Sequence, residues 1–167
     1  MAYKNLVNQD GIDKLKELAK STDICMFATH YSYDSLSARP MSTQDVDDEG
    51  ALWFFSQASS NINAEIEADS RVQLFYSNKS NAEYLSITGR ASILKDEQKA
   101  RELWTVWVKT WFTEGPDDPN LTIIKVVPDD AYYWDTKHNK MVSMLKIMAG
   151  AITGKTMDDS LEGRIEI

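Results

Sequence analysis

A single cysteine, Cys25, stands among 167 residues, so no disulfide can form within the chain. Two histidines, His30 and His138, accompany it without any metal-ligand spacing, and no metal is expected. Proline (4) and glycine (7) are too sparse for a fibrous or low-complexity protein. Positive charge is scarce as well: 18 Lys and Arg against 26 Asp and Glu leave a net charge of −8. The cations are scattered rather than gathered into a basic stripe, which argues against nucleic acid as a partner. No apolar run approaches the roughly 20 residues that span a bilayer, so no membrane partner is expected. The opening Met1-Ala2-Tyr3-Lys4-Asn5 lacks an apolar signal core, and a cytoplasmic location is the expectation. A Walker loop, a Gly-x-Gly-x-x-Gly run and a Gly-x-Ser-x-Gly nucleophile elbow are all missing, which removes the commonest nucleotide-binding and hydrolase classes. An acidic chain still binds a phosphorylated small molecule where a few local donors converge.

What is present reads as one domain over residues 1–167. Ile12, Leu15, Leu18 and Ala19 recur at helical spacing behind Asp10, a cap-forming residue. The period then shortens. Ile24–Thr29 and Leu36–Met41 read as strands about a polar turn, and Asp47-Asp48-Glu49-Gly50 turns the chain into the β-prone Ala51–Phe55. Ser59-Ser60-Asn61 opens a short helix with Ile62 and Ile66 on its apolar face. Strands resume at Val72–Tyr76 and Tyr84–Leu94, the second bending at Gly89. Asp96 is expected to cap a helix reaching about Phe112, with Leu103, Trp104, Trp107, Val108 and Trp111 on one buried side. Thr122–Val127 and Ala131–Trp134 are expected as two strands separated by Pro128-Asp129-Asp130. Met141, Met144, Leu145 and Met148 suggest a further helix, and Ile165–Ile167 a terminal edge strand. This order does not alternate as a parallel α/β sheet does, and it predicts an antiparallel barrel flanked by helices.

Few residues on this framework carry chemistry. Cys25 lies in an apolar strand and reads as a small buried hydrophobe. The acidic run Asp45–Glu49 reads as a solvated turn, and the methionine stripe as packing. Arg39 differs: a guanidinium inside an apolar strand calls for an anion to hold. Hydroxyls and backbone N–H groups at Ser56 and Ser60, beside a helix start, suit the same anion.

Ser37-Ala38-Arg39-Pro40-Met41, Leu52–Ser56 through Ser60, Arg71-Val72-Gln73-Leu74 and Tyr84–Gly89 resemble, in order and spacing, the pyridoxamine 5′-phosphate oxidase-like split barrels. Leu103-Trp104, Trp111-Phe112, Gly115-Pro116-Asp117-Asp118-Pro119 and Tyr133-Trp134-Asp135 look like the bacterial general stress protein subgroup. The likeness implies a mainly β fold with flanking helices: a six-stranded antiparallel split β-barrel, homodimeric, with FMN in clefts between the subunits. By position it implies that Arg39 grips the FMN phosphate, Pro40 and Met41 lie along the isoalloxazine, and Phe55 and Ser56 line the ring and ribityl chain. Ser60 would add a phosphate contact, and Tyr84 and Trp134 would reach in from the partner subunit. One departure stands out: Ile62 occupies the place of a customary lysine, with Arg71 or Lys79 as substitute donors. The basic substrate-binding residues of the oxidase are also unmatched, which argues against pyridoxamine phosphate oxidation.

The implied function is a flavin-dependent oxidoreductase with a stress-related role and room for a small-molecule substrate, no catalytic side chain being identifiable. Its alternatives are a non-catalytic flavin-binding or sensing protein, and a dimeric scaffold that has lost flavin.

Overall fold

The computed structural model describes residues 2–32, 35–136 and 160–166. Nine strands and two longer helices follow in the order β1 (Ala2–Tyr3), β2 (Leu6–Val7), α1 (Asn8–Lys20), β3 (Ile24–Ser32), β4 (Ser35–Val46), β5 (Leu52–Gln57), α2 (Asn61–Ala68), β6 (Arg71–Asn78) and β7 (Glu83–Leu94), then the short helix α3 (Glu97–Leu103), β8 (Leu121–Thr136) and β9 (Ser160–Glu166). Strands β5, β4, β3, β6 and β7 are neighbours in that order, and β8 pairs with both β5 and β7, closing a six-stranded antiparallel barrel.

Alternation builds the barrel core. Cys25, Phe27, Leu52, Phe54, Leu74 and Ile87 point inward with almost no exposure, while their sequence neighbours face out. Phe27 and Phe54 meet edge to face at 5.2 Å between ring centroids. The Asp47 carboxylate fixes the β4–β5 turn by accepting from the backbone N–H of Glu49 (3.0 Å) and Ala51 (2.9 Å) and from Trp53 Nε1 (2.9 Å). Gly50 completes that turn at φ 84°. Outside the barrel, Ala100, Leu103, Val108 and Phe112 pack on Trp53, Leu121 and Ile123 as a second apolar cluster.

Four local expectations are corrected. Helix α1 starts at Asn8, with Val7 in the cap position and Asp10 inside the first turn. Strand β2 runs straight into it, so Asp10 acts on the helix dipole instead of capping. Asp96 does cap α3, accepting from the Lys99 N–H at 2.9 Å, but the helix stops at Leu103 and a single 3-10 turn, Val108–Thr110, follows. Thr105, Val106, Val108 and Thr110 are β-branched residues that propagate a helix poorly. The two late strands are one, β8, because the residues about Pro128 are absorbed by a register shift opposite Thr88 and Gly89. Gly89 is needed there, since a Cβ would lie 2.5 Å from the Val127 carbonyl. Strand β9 is not an edge: β8 flanks it on one side and β1 with β2 on the other. The helix expected around Met141–Met148 lies outside the described residues.

Candidate functional site

Where the Trp104–Phe112 segment passes the outer face of β4 and β5, it leaves a cleft of about 720 Å³, within the usual size of a small-molecule site. Its walls are apolar: Pro40 and Met41 from β4, Phe55 from β5, Ile62 from α2, and Trp107, Trp111 and Phe112 from the covering segment. Polar lining comes from Ser42, Thr43 and Gln44 of β4 and from Ser56, Gln57 and Ser60 at the end of β5 and the turn into α2. Among the described residues lining it, Asp23 is the sole carboxylate and none is a lysine, arginine or histidine.

Each wall follows from local structure. Phe55 sits between barrel and covering segment, with its ring 6.1 Å from Trp104 and 6.3 Å from Phe112. After α3 ends, Val108 and Phe112 take the buried positions, and Trp107 and Trp111 are turned out at 82% and 68% exposure. The buried face expected of Trp107 and Trp111 is thereby corrected, and these indoles stand at the cleft. Behind the β5–α2 turn lies a buried network. Asn63 Nδ2 donates to Thr122 Oγ1 (2.8 Å), which donates to the Ser56 carbonyl (3.1 Å) and sits 2.8 Å from Ser56 Oγ. With the Thr122 proton on that carbonyl, the Ser56 hydroxyl donates to Thr122 and presents lone pairs to the cleft. Asn63 Oδ1 is buried with no protein partner. Ser60 occupies the cap position of α2, but its hydroxyl donates to the Gln57 carbonyl at 2.6 Å and caps nothing.

Of the residues singled out from sequence, Pro40, Met41, Phe55, Ser56 and Ser60 border this one cleft. Arg39 does not. Opposite Phe27 in the β3–β4 register, it points to the inner side of β4, where Nη2 meets Glu65 Oε2 at 2.6 Å and Nη1 meets Thr29 Oγ1 at 3.3 Å. Ser37 Oγ accepts from the same guanidinium, and the Thr29 hydroxyl donates to Glu65. The arginine is 24% exposed and the glutamate 9%, so the pair is largely withdrawn from water. Tyr84 and Trp134 lie directly opposite one another on β7 and β8 at the outer surface, away from the cleft of their own chain. Of the substitute donors, Arg71 is bonded to Asp69 (2.6 Å), and Lys79 is exposed in the β6–β7 turn. Cys25 lies beside Met41, its partner in the β3–β4 register, and burial pushes its thiol up to about 12 against the opposing hydrogen bond of Tyr76, so it offers no thiolate.

Sequence reasoning missed Glu65, and for Trp104, Trp107 and Trp111 it favoured a buried helix face over one of them walling the cleft, whereas Trp107 and Trp111 both line it. The i, i+4 spacing of the two tryptophans was a visible signal, and the β-branched residues between them marked where the helix would fail.

A family model described as Pyridoxamine 5'-phosphate oxidase like matches residues 10–158. Protein bli-3 of Neurospora crassa is 25% identical over 154 residues, 86% of this chain and 74% of that protein. A structure named for general stress protein 26 of Jannaschia sp. CCS1 superposes with a TM-score of 0.77 at 20% identity, covering 93% of this chain and 95% of the other. The general stress FMN/FAD binding protein of Xanthomonas citri is 28% identical, with a TM-score of 0.66 over 77% of this chain and 90% of its own.

Proposed function

The chain belongs to the pyridoxamine 5′-phosphate oxidase-like family, and on that premise we propose that the cleft binds a flavin, FMN in the first place, at the interface of a homodimer. The observation that carries this reading is the size and chemistry of the cleft itself: about 720 Å³, walled by Pro40, Met41, Phe55, Trp107 and Trp111, with hydroxyl and amide groups of Ser42, Gln44, Ser56, Gln57 and Ser60 among its lining. A planar tricycle with two apolar faces and one polar rim fits such walls. In this reading Pro40, Met41 and Phe55 hold the ring, Ser56 accepts from a ribityl hydroxyl, and Ser60 lies toward the phosphate end. Tyr84 and Trp134 are assigned to the neighbouring subunit's cleft.

A bound flavin supplies the chemistry of accepting and returning reducing equivalents. The chain's own part is to exclude water from the ring and orient it, since Asp23 is the one titratable group among the described residues at the walls. We therefore favour a flavin-dependent oxidoreductase in which position and polarity, rather than a catalytic acid or base, are what the protein contributes. The same poverty of titratable groups supports a second reading, a non-catalytic flavin-binding stress protein. Ile62, at the place of a customary phosphate-binding lysine, supports the loss of flavin altogether.

Titration of the purified protein with FMN, followed by tryptophan fluorescence and by the visible flavin band, tests the proposal. Saturable quenching is expected, and bleaching of the bound flavin by a reduced nicotinamide separates oxidoreductase from carrier. No quenching at high micromolar FMN overturns flavin binding.

A further inference from the structure

Resting on the flavin reading above, we propose that this cleft holds flavin by its ring and takes no affinity from the 5′-phosphate, because Glu65 has already occupied the arginine that a phosphate would need. Riboflavin is then as good a ligand as FMN, and Glu65 is the residue that sets this lack of discrimination.

The geometry is specific. Arg39 precedes Pro40, a wall of the cleft, and Glu65 lies one helical turn beyond Ile62, another wall. Neither Arg39 nor Glu65 lines the cleft itself: their ion pair at 2.6 Å sits on the inner side of β4, next to these two walls, and holds the guanidinium there rather than at the end of the cleft where the phosphate is assigned. Three of the five guanidinium N–H groups are engaged there, by Glu65, Thr29 and Ser37, and both on Nη2 are taken. Glu65 in turn accepts from Thr29, so the carboxylate stands where an anion's oxygens would, already supplied with donors. Releasing Arg39 to an incoming phosphate would strand a glutamate that is 9% exposed, and an unpaired buried carboxylate costs more than a surface contact returns.

Among the described residues, nothing else at the site compensates. Ile62 carries no charge, the Ser60 hydroxyl proton is spent on the Gln57 carbonyl, and the described residues lining the cleft include Asp23 but no cation. The backbone N–H groups at the start of α2 remain, set against the repulsion of a phosphate by Asp23, Glu65 and a net charge of −8. A ring in apolar walls needs none of these groups.

The test compares FMN with riboflavin on the full-length protein by tryptophan quenching, at low and at high salt. Dissociation constants within about threefold of each other, and flat against salt, are expected. Glu65→Gln frees the guanidinium while keeping a hydrogen-bonding side chain of the same shape. It should tighten FMN by about tenfold or more, as a charge-assisted contact does, and leave riboflavin unchanged; Arg39→Ala in that background should remove the gain. Circular dichroism establishes that the variants are folded, and the wild-type comparison stands without them. FMN binding more than tenfold tighter than riboflavin in the wild type overturns the inference while leaving the flavin reading intact. Failure of both flavins to bind overturns the flavin reading and this inference together.

Discussion

At the residue scale, the chain shows how much a lone polar group in an apolar strand reveals and how much it conceals. Arg39 announced itself in the sequence because a guanidinium among apolar neighbours must hold an anion. That the anion is Glu65, from the helix after the next strand, was illegible, since the pairing depends on how α2 packs on the barrel. Cys25 was legible in full: its strand position predicted a buried thiol, and it is 1% exposed. Its pKa rises from 9.0 to about 12, with desolvation as the main cause, because the fold favours the neutral form. The sign follows directly: the stabilisation is complete below pH 9 and is lost as pH rises through about 12, by about 1.4 kcal/mol per unit while the unfolded thiol is ionised and the folded one is not. Tyr76, buried beside it and raised for the same first reason, adds to the loss. A thiol reagent at pH 8 should leave native Cys25 unmodified and react quickly once urea unfolds the chain. Rapid reaction in the folded state would show that this part of the barrel opens readily.

At the element scale, the strands were readable because period-two alternation and turn residues are local signals; the segment after α3 was not, because its signals conflict. Trp104, Trp107 and Trp111 repeat as a helix would, while Thr105, Val106, Val108 and Thr110 resist helix. Tertiary packing decides between them. Val108 and Phe112 fill the pocket on Trp53 and Ile123, which leaves Trp107 and Trp111 facing the cleft. The same local limit explains β8, read as two strands because Pro128-Asp129-Asp130 is a turn signature, whereas its neighbour β7 extends the pairing past it through the shift at Gly89. For the covering segment a consequence can be measured. Trp107→Ala or Trp111→Ala removes an indole that is 82% or 68% exposed, so the melting temperature should stay nearly constant. Flavin affinity should fall by about two- to tenfold per indole, the worth of one aromatic contact. A large drop in melting temperature with unchanged affinity would place these side chains in the core instead of at the ligand.

At the scale of the whole molecule, the barrel's outer surface carries large apolar side chains in register with the cleft. Pro40 pairs with Met26 across β4 and β3, Met26 with Phe75 across β3 and β6, and Tyr84 with Trp134 across β7 and β8. Met26, Phe75, Tyr84 and Trp134 remain between 37% and 44% exposed, on adjacent strands. Apolar residues grouped in this way mark an interaction surface more often than a solvated one. A second copy seated on this face would lie against the Pro40 wall, which is how a two-fold dimer closes a flavin cleft that one chain leaves open. Burying a face of this kind is within reach of a standard interface of about 1,600 Å² in total. Sedimentation should therefore give a particle of twice the 19.0-kDa chain mass. Phe75→Glu, which puts a carboxylate in the middle of the row without touching the barrel core, should yield the single-chain mass with circular dichroism retained. If the partner completes the cleft, flavin affinity falls as dimerisation is lost and is restored at protein concentrations that drive reassociation. A monomeric Phe75→Glu variant that binds flavin as tightly as the wild type would show that one chain holds the cofactor alone, and Tyr84 and Trp134 would lose their assignment to the neighbouring site.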